Sequence, residues 1–249
     1  MREKDSGKEA GVLLVDKPAG KSSFAMVRRV RKIVGIKKVG HAGTLDPFAT
    51  GLLVICLGRP ATRLVSALME GEKEYLATLR LGAVSTTQDP EGVVSGTGAE
   101  LLFSEQEIDS VFDGFTGPIM QKPPAFSALK HNGKPLYEYA RRGIIVEKEP
   151  RPVTIYSIDW EDRRHIVDAS LPELKIRVRC SKGTYLRTLA ADIGDRLGCG
   201  AYLTGLRRTA SGFFTVTESV RGEDLDAADA RAIIAEAIIS VEDVRNLLQ

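Results

Sequence analysis

Two short, uninterrupted apolar runs, GVLLVD at 11–16 and GLLVICL at 51–57, most constrain how this chain can fold. The first ends at Lys17-Pro18 and the second opens on a glycine, so both read as buried strands. Between them Ser22 or Ser23 offers an N-cap. Phe24, Val27, Val30 and Ile33/Val34 then recur at three-to-four spacing with Arg28, Arg29, Arg31 and Lys32 interleaved, and Gly35 follows. That pattern predicts an amphipathic helix with a basic outer face. The segment GHAGTLDPFATG (40–51) is rich in Gly, Thr, Asp and Pro and reads as a loop.

Further along, residues 60–69 suggest a helix, and 75–81 and 173–180 alternate as half-buried strands. Ser104 with Glu107 resembles a capping box for a helix through Phe112. A helix is expected over 184–196, and two more near 227–238 and 241–248. Residues 121–152 contain Pro123, Pro124, Pro135, Pro150 and Pro152 and an Asn132-Gly133 turn, with Lys and Arg throughout. They read as an excursion with its own hairpin and short helix. Strands and helices mix without a regular βαβ repeat. The expected fold class is therefore α+β, with a mixed, largely antiparallel central sheet flanked by helices and loops.

Composition excludes several function classes. No stretch approaches the roughly 20 apolar residues of a membrane span, and MREKDSGKEA is too polar for a signal peptide. Residues 1–10 read as a terminal tail. Cys56, Cys180 and Cys199 are widely spaced, which fits free thiols in a reducing cytoplasm. His41, His131 and His165 pair with no cysteine at ligand spacing, so no metal is expected. Net charge is +2, unevenly spread: Lys17–Lys38 holds eight Lys/Arg and no acid, whereas Glu218–Gln249 holds eight acids and three arginines. The first segment can attract phosphates; a solvated amphipathic helix would carry the same charges.

Two segments carry candidate chemistry. In the 40–51 loop, Gly40 and Gly43 permit positive φ, and Asp46 before Pro47 is pushed towards extended geometry. A single carboxylate on a stiff turn suits catalysis, although Asp-Pro also simply starts turns, and the loop by itself favours that reading. In CSKGTYLRTLAADIG (180–194), Arg187 lies early in a helix that follows a strand. An arginine beside an aspartate keeps it ionised, as a nucleophile requires; a helix-surface arginine is the alternative. GHAG also fits the GXXG loop of KH domains, but Asp46-Pro47 opposes the helix that would follow. A phosphate cradle would need a Gly-Lys-Ser/Thr ending or GxGxxG spacing, and neither is present.

Taken together, GVLLVDKPAGKSS (11–23), GHAGTLDPFATGLLVICLGRPAT (40–62), EKEYLATLRLGAVSTTQDPEG (72–92), CSKGTYLRTLAADIG (180–194) and GLRRTASGFF (205–214) resemble the TruB family of bacterial tRNA pseudouridine-55 synthases. The resemblance implies the pseudouridine synthase fold and isomerisation of uridine-55 in the T-stem loop of tRNA. Asp46 would be the nucleophile and Tyr75 would pack on the base, with Arg187 paired to the catalytic carboxylate. His41 would help hold the flipped-out RNA conformation. Asp89 and Tyr185 would be polar neighbours, and Leu206 an apolar wall of the uracil pocket. Residues 11–220 would form the catalytic domain, with 121–152 as an RNA-contacting insertion. Residues 221–249 would be a short helical segment without a complete C-terminal RNA-binding domain. The family usually has lysine where Arg63 stands, a change that keeps charge but not geometry. The implied enzyme needs no cofactor, metal or protein partner and works as a cytoplasmic monomer on tRNA. A non-catalytic RNA-binding protein or tRNA chaperone of the same fold is the alternative.

Overall fold

In the computed structural model, which describes residues 10–162 and 173–249, the two apolar runs are neighbouring antiparallel strands. The expected tail (apart from Ala10) and His165 lie outside the described residues. The chain divides into two units, one of residues up to Glu74 together with Arg207–Gln249, the other Tyr75–Leu206.

The first unit begins with β1 (Gly11–Lys17), α1 (Ser23–Val34), β2 (Val39–Ala42), β3 (Thr50–Leu57), α2 (Gly58–Thr62) and α3 (Val65–Glu70). β1 and β3 pair along their lengths, from Gly11 opposite Leu57 to Lys17 opposite Gly51. Both strands are apolar over 11–15 and 51–57 because both faces are covered there. Leu13, Val15, Leu53, Ile55 and Leu57 pack under Met26, Val27, Val30 and Val34 of α1. On the opposite face Val12, Leu14, Leu52, Val54 and Cys56 pack with Ala61, Leu68, Phe214 and Val244. Alternate residues of a strand point to opposite faces, so one run serves two cores.

α1 is capped as expected. The Ser22 hydroxyl accepts from the Ala25 amide at 3.1 Å, and Gly35, at φ 76°, donates its amide to the Arg31 carbonyl. The phase of its apolar face differs from the expectation at one residue. Phe24 is 58 % exposed, and Met26 points inward instead. The inward position in the first turn belongs to Ser23, whose hydroxyl accepts from Leu45 N at 2.9 Å and donates to Leu45 O at 3.0 Å.

Two further elements differ from the expectation. Gly40, His41 and Ala42 are strand residues rather than loop, because β2 pairs antiparallel with β3, His41 opposite Ile55. The single helix expected over 60–69 is two short ones, α2 and α3, which break at Arg63 and Leu64.

The second unit contains β4 (Lys73–Leu81), β5 (Ala83–Ser85), β6 (Val94–Gly96), α4 (Glu105–Phe115), β7 (Gly117–Gln121), β8 (Lys130–His131), β9 (Lys134–Pro135), α5 (Leu136–Ala140), β10 (Arg151–Asp162), β11 (Glu173–Cys180), α6 (Leu186–Arg196) and β12 (Ala201–Ser211). β4 and β12 run through the boundary between units. Strand order within this unit is β12-β4-β11-β10-β7, and β10 is antiparallel to both β11 and β7. The capping box at Ser104 and Glu107 is present. So is the hairpin turn, with Asn132 and Gly133 both at positive φ.

The chain then returns to the first unit through β13 (Phe214–Thr215), β14 (Val220–Arg221), α7 (Ala230–Ala237), β15 (Ile239–Ser240) and α8 (Val241–Leu247). β14, parallel, and β15, antiparallel, share the outer edge of β1 and so cover a strand that would otherwise be open to pairing. The acidic tail also meets the basic helix, with Arg29 2.9 Å from Asp226. The architecture is α+β with a mixed, mostly antiparallel sheet. No helix among the described residues is long and apolar enough to cross a membrane.

Candidate active site

One edge of β3 is divided between two partners. β2 takes residues 54–57, while Arg207 and Arg208 of β12 pair in parallel with Thr50 and Gly51. The loop 43–49, which carries Asp46, leaves the sheet where one partner gives way to the other. Gly51 is forced by this arrangement: φ is 98°, and an added Cβ would stand 2.3 Å from the Arg208 carbonyl oxygen.

The loop is held from several directions. Arg208, 1 % exposed, donates through Nε to Leu52 O at 2.7 Å and through Nη2 to Gly43 O at 3.1 Å. Ser23 bonds both backbone groups of Leu45. Lys17 is fully buried, and its Nζ donates to the carbonyls of Pro18 (2.8 Å), Lys21 (2.6 Å) and Pro47 (3.2 Å). Gly20 N also donates to Pro47 O, and Ala49 N closes the turn onto Asp46 O at 3.2 Å. Asp46 itself is half-buried. His41, on β2, has its pKa lowered by burial and then by the Arg208 charge, which favours a neutral imidazole.

In the second unit Arg187 is 3 % exposed at the start of α6. Its Nη1 donates to Thr87 O at 2.9 Å, its Nη2 to Phe126 O at 2.7 Å, and Asp89 Oδ2 is 3.3 Å from Nη1. Asp89, equally buried, also accepts from the Thr87 hydroxyl and from Glu91 N at 3.0 Å. The intervening Gln88 has φ 63°, a conformation rare outside glycine, in the turn that presents these groups. Tyr185, the residue before α6, is fixed through its backbone. Gln121 Nε2 donates to Tyr185 O at 3.1 Å, and Tyr185 N donates to Gln121 Oε1 at 2.8 Å. The Arg151 guanidinium lies 5.1 Å from the Tyr185 ring centroid and donates to Gly183 O at 2.6 Å. Tyr75 is 8 % exposed, on the β4 face that also carries Ala77 and Leu79, and Leu206 is half-buried on β12.

His41 and Asp46 therefore share one unit. Tyr75, Asp89, Tyr185, Arg187 and Leu206 belong to the other, where Arg187 and Asp89 form an ion pair. Sequence reasoning misses the supporting residues Lys17, Ser23, Gln121, Arg151 and Arg208. A signal exists for Arg208: two consecutive arginines on one strand point to opposite faces, so one of Arg207 and Arg208 has to turn inward.

Comparison with known proteins follows the same segments. Residues 31–186 match the model for the N-terminal domain of the TruB family pseudouridylate synthases, and residues 187–246 match a tRNA pseudouridylate synthase B C-terminal domain. The chain belongs to the TruB family. That makes it an enzyme, an isomerase that forms pseudouridine. The tRNA pseudouridine synthase B of Desulfotalea psychrophila is 53 % identical over 249 residues, covering all of both chains. The Burkholderia pseudomallei (strain 668) protein of the same name is 48 % identical over 235 residues, 92 % of this chain and 75 % of that one. Among solved structures, a Cbf5-Nop10-Gar1 complex has a chain that superposes with TM-score 0.72 at 29 % identity, covering 97 % of this chain and 63 % of that one. A chain of an H/ACA RNP bound to a substrate RNA containing 2′-deoxyuridine superposes with TM-score 0.67 at 27 % identity, covering 95 % and 61 %. The N-terminal match takes in the motif around Asp46, and the C-terminal match begins at Arg187.

Proposed function

We propose that this TruB family chain converts uridine-55 in the T-stem loop of tRNA to pseudouridine, with Asp46 as the nucleophile. The observation that carries the reading is the clamped Asp46 loop. Three buried side chains and a glycine amide hold the backbone on both sides of one half-buried carboxylate. The names of the curated relatives support tRNA as the substrate.

The reaction breaks the bond between uracil N1 and ribose C1′, turns the base, and joins C5 to C1′. C5 gives up its proton and N1 gains one, so atoms and electrons balance without a co-reactant. Departure of the base develops positive charge at C1′, which an adjacent carboxylate stabilises or captures, as in retaining glycosidases. Elimination towards a glycal is the other route open to the same carboxylate, and there Tyr75 is the candidate for ribose proton transfer. The uridine first leaves its stack, at a cost of a few kcal/mol that is smaller in a loop. Tyr75 and Leu206 would wall the uracil, and His41 would steady the opened RNA loop as a neutral group. Asp89 would order Arg187 through their ion pair, with Tyr185 as a polar neighbour. Residues 121–152 would contact the RNA hairpin.

Unmodified tRNA incubated with the protein and mapped for pseudouridine tests the substrate and position. Asp46→Asn should lower the rate roughly 10⁴-fold or more while sparing tRNA affinity. Undiminished turnover in that variant would remove Asp46 from the mechanism. An isolated T-stem loop should also react.

A further inference from the structure

The exposed face of α1 holds a feature that the reading above does not use. Phe24 has the spacing of a core residue, yet its ring is 58 % exposed and, among the described residues, joins neither of the hydrophobic clusters packed on β1 and β3. The Arg28 guanidinium lies 5.5 Å from the centroid of that ring. Lys32, one turn further on, is also exposed. Residues 24, 28 and 32 are spaced i, i+4, i+8 and so share one stripe, rising about 6 Å per step.

The cations of this helix are sorted by position. Arg29 is engaged by Asp226 and by Leu225 O, and Arg31 donates to Val39 O. Among the described residues neither Arg28 nor Lys32 forms an ion pair. The helix itself contains no acid, nor does any position from Lys17 to Lys38. Two arginines therefore serve the protein, while one arginine and one lysine stand in line behind an exposed aromatic ring. The stripe also begins at the catalytic loop, because Ser23, the residue before Phe24, holds both backbone groups of Leu45.

We propose that Phe24, Arg28 and Lys32 form a binding stripe for the RNA strand that flanks the reacting uridine, taking an unpaired base on the Phe24 ring and backbone phosphates at Arg28 and Lys32. An aromatic face with cations along one line matches the chemistry of a single-stranded polynucleotide, whose bases stack and whose backbone is anionic. The proposal rests on the reading that the substrate is an RNA hairpin and adds to it a site outside the uracil pocket.

The test uses the full chain with a T-stem-loop RNA, measuring Kd over a range of salt concentrations together with kcat and KM. Phe24→Ala should raise Kd roughly 5- to 150-fold, the worth of one stacked base, at every salt concentration and without changing the salt slope. Phe24→Trp should restore affinity and Phe24→Leu should not. Arg28→Gln and Lys32→Gln should each reduce the slope of log Kd against log salt by about 0.7. The loss should fall on KM rather than kcat. Wild-type affinity in Phe24→Ala or Phe24→Leu overturns the stacking role, and unchanged salt slopes overturn the phosphate contacts. A lowered melting temperature in Phe24→Ala, with no rescue by Trp, would assign the ring to packing and overturn the proposal. If the wild type modifies the RNA while the Phe24 variants bind normally, the stripe fails alone. If the wild type modifies no tRNA, the functional reading fails, and the same binding series decides the stripe.

Discussion

Replacing Gln121 by alanine tests whether the backbone around Tyr185 is positioned or merely packed. Gln121 ends β7, is 1 % exposed, and spends both ends of its side-chain amide on the two backbone groups of Tyr185, at 3.1 and 2.8 Å. Two hydrogen bonds are lost, each worth about 0.5–1.5 kcal/mol net. About one methylene of burial goes with them, near 0.8 kcal/mol. The expected destabilisation is therefore about 2–4 kcal/mol, read as a lower urea midpoint at unchanged m-value. Arg187 follows Tyr185 by two residues, so activity should fall as well. If that segment serves the reaction as proposed, its displacement by an ångström can cost on the order of 100-fold in rate. That loss should appear in kcat more than in KM. Gln121→Glu keeps the acceptor for Tyr185 N but sets an anionic oxygen against Tyr185 O. Its deficit should shrink as pH falls and the introduced carboxyl becomes a donor. A stability change below about 0.5 kcal/mol, or a clear loss of stability at wild-type kcat, would refute this reasoning.

Three other outcomes are expected. Asp89→Asn removes the charge 3.3 Å from Arg187 in a pair whose members are each 3 % exposed. Because the amide keeps an acceptor oxygen, stability should fall towards the lower end of the ~3–5 kcal/mol for breaking a buried pair. kcat should drop with it, and wild-type values of both would contradict the pairing. Gly51→Ala would hold alanine at φ 98° with its Cβ against the Arg208 backbone, and should cost roughly 3 kcal/mol or more or prevent folding; a wild-type melting curve would rule that out. The Asp192 carboxyl is pushed from 3.8 up to about 6 by burial, with Asp195 adding to the effect. Its folded pKa being raised, the stability it contributes is present below 3.8 and lost as pH rises through about 6. Asp192→Asn should therefore stabilise the protein at pH 7 by roughly 1–2 kcal/mol, allowing for solvent screening of this partly exposed group. Denaturation curves of variant and parent should converge near pH 4, and a constant gap between pH 4 and 7 would exclude the titration.

Elements announced by local chemistry are legible in the sequence alone. The apolar runs form β1 and β3, Ser22 and Gly35 cap α1, Ser104 with Glu107 opens α4, and Asn132-Gly133 turns a hairpin. Elements whose signal lies in their partners are not. β2 reads as loop because Gly40 and His41 have little strand preference, and pairing to β3 decides the matter. β10 is obscured in part because irregularities between Ile155 and Ser157, and between Trp160 and Asp162, break its alternation. The buried face of α1 departs from the apolar spacing at Phe24 because Ser23 is drawn inward by Leu45, 22 positions away.

The site divides the same way. Asp46, Tyr75 and Arg187 stand in motifs distinctive enough to place the chain in its family from sequence. What holds them does not show there. Arg208 reaches Gly43 across 165 positions, and Gln121 reaches Tyr185 across 64. Nothing in the composition of either neighbourhood requires those bonds. Sequence by itself determined the family, the sheet-forming runs and the candidate site residues, all of which are written in local pattern. Tertiary structure alone decided which buried polar groups clamp those residues and which ring of α1 faces solvent. A long-range hydrogen bond exists only once folding has brought its two ends together.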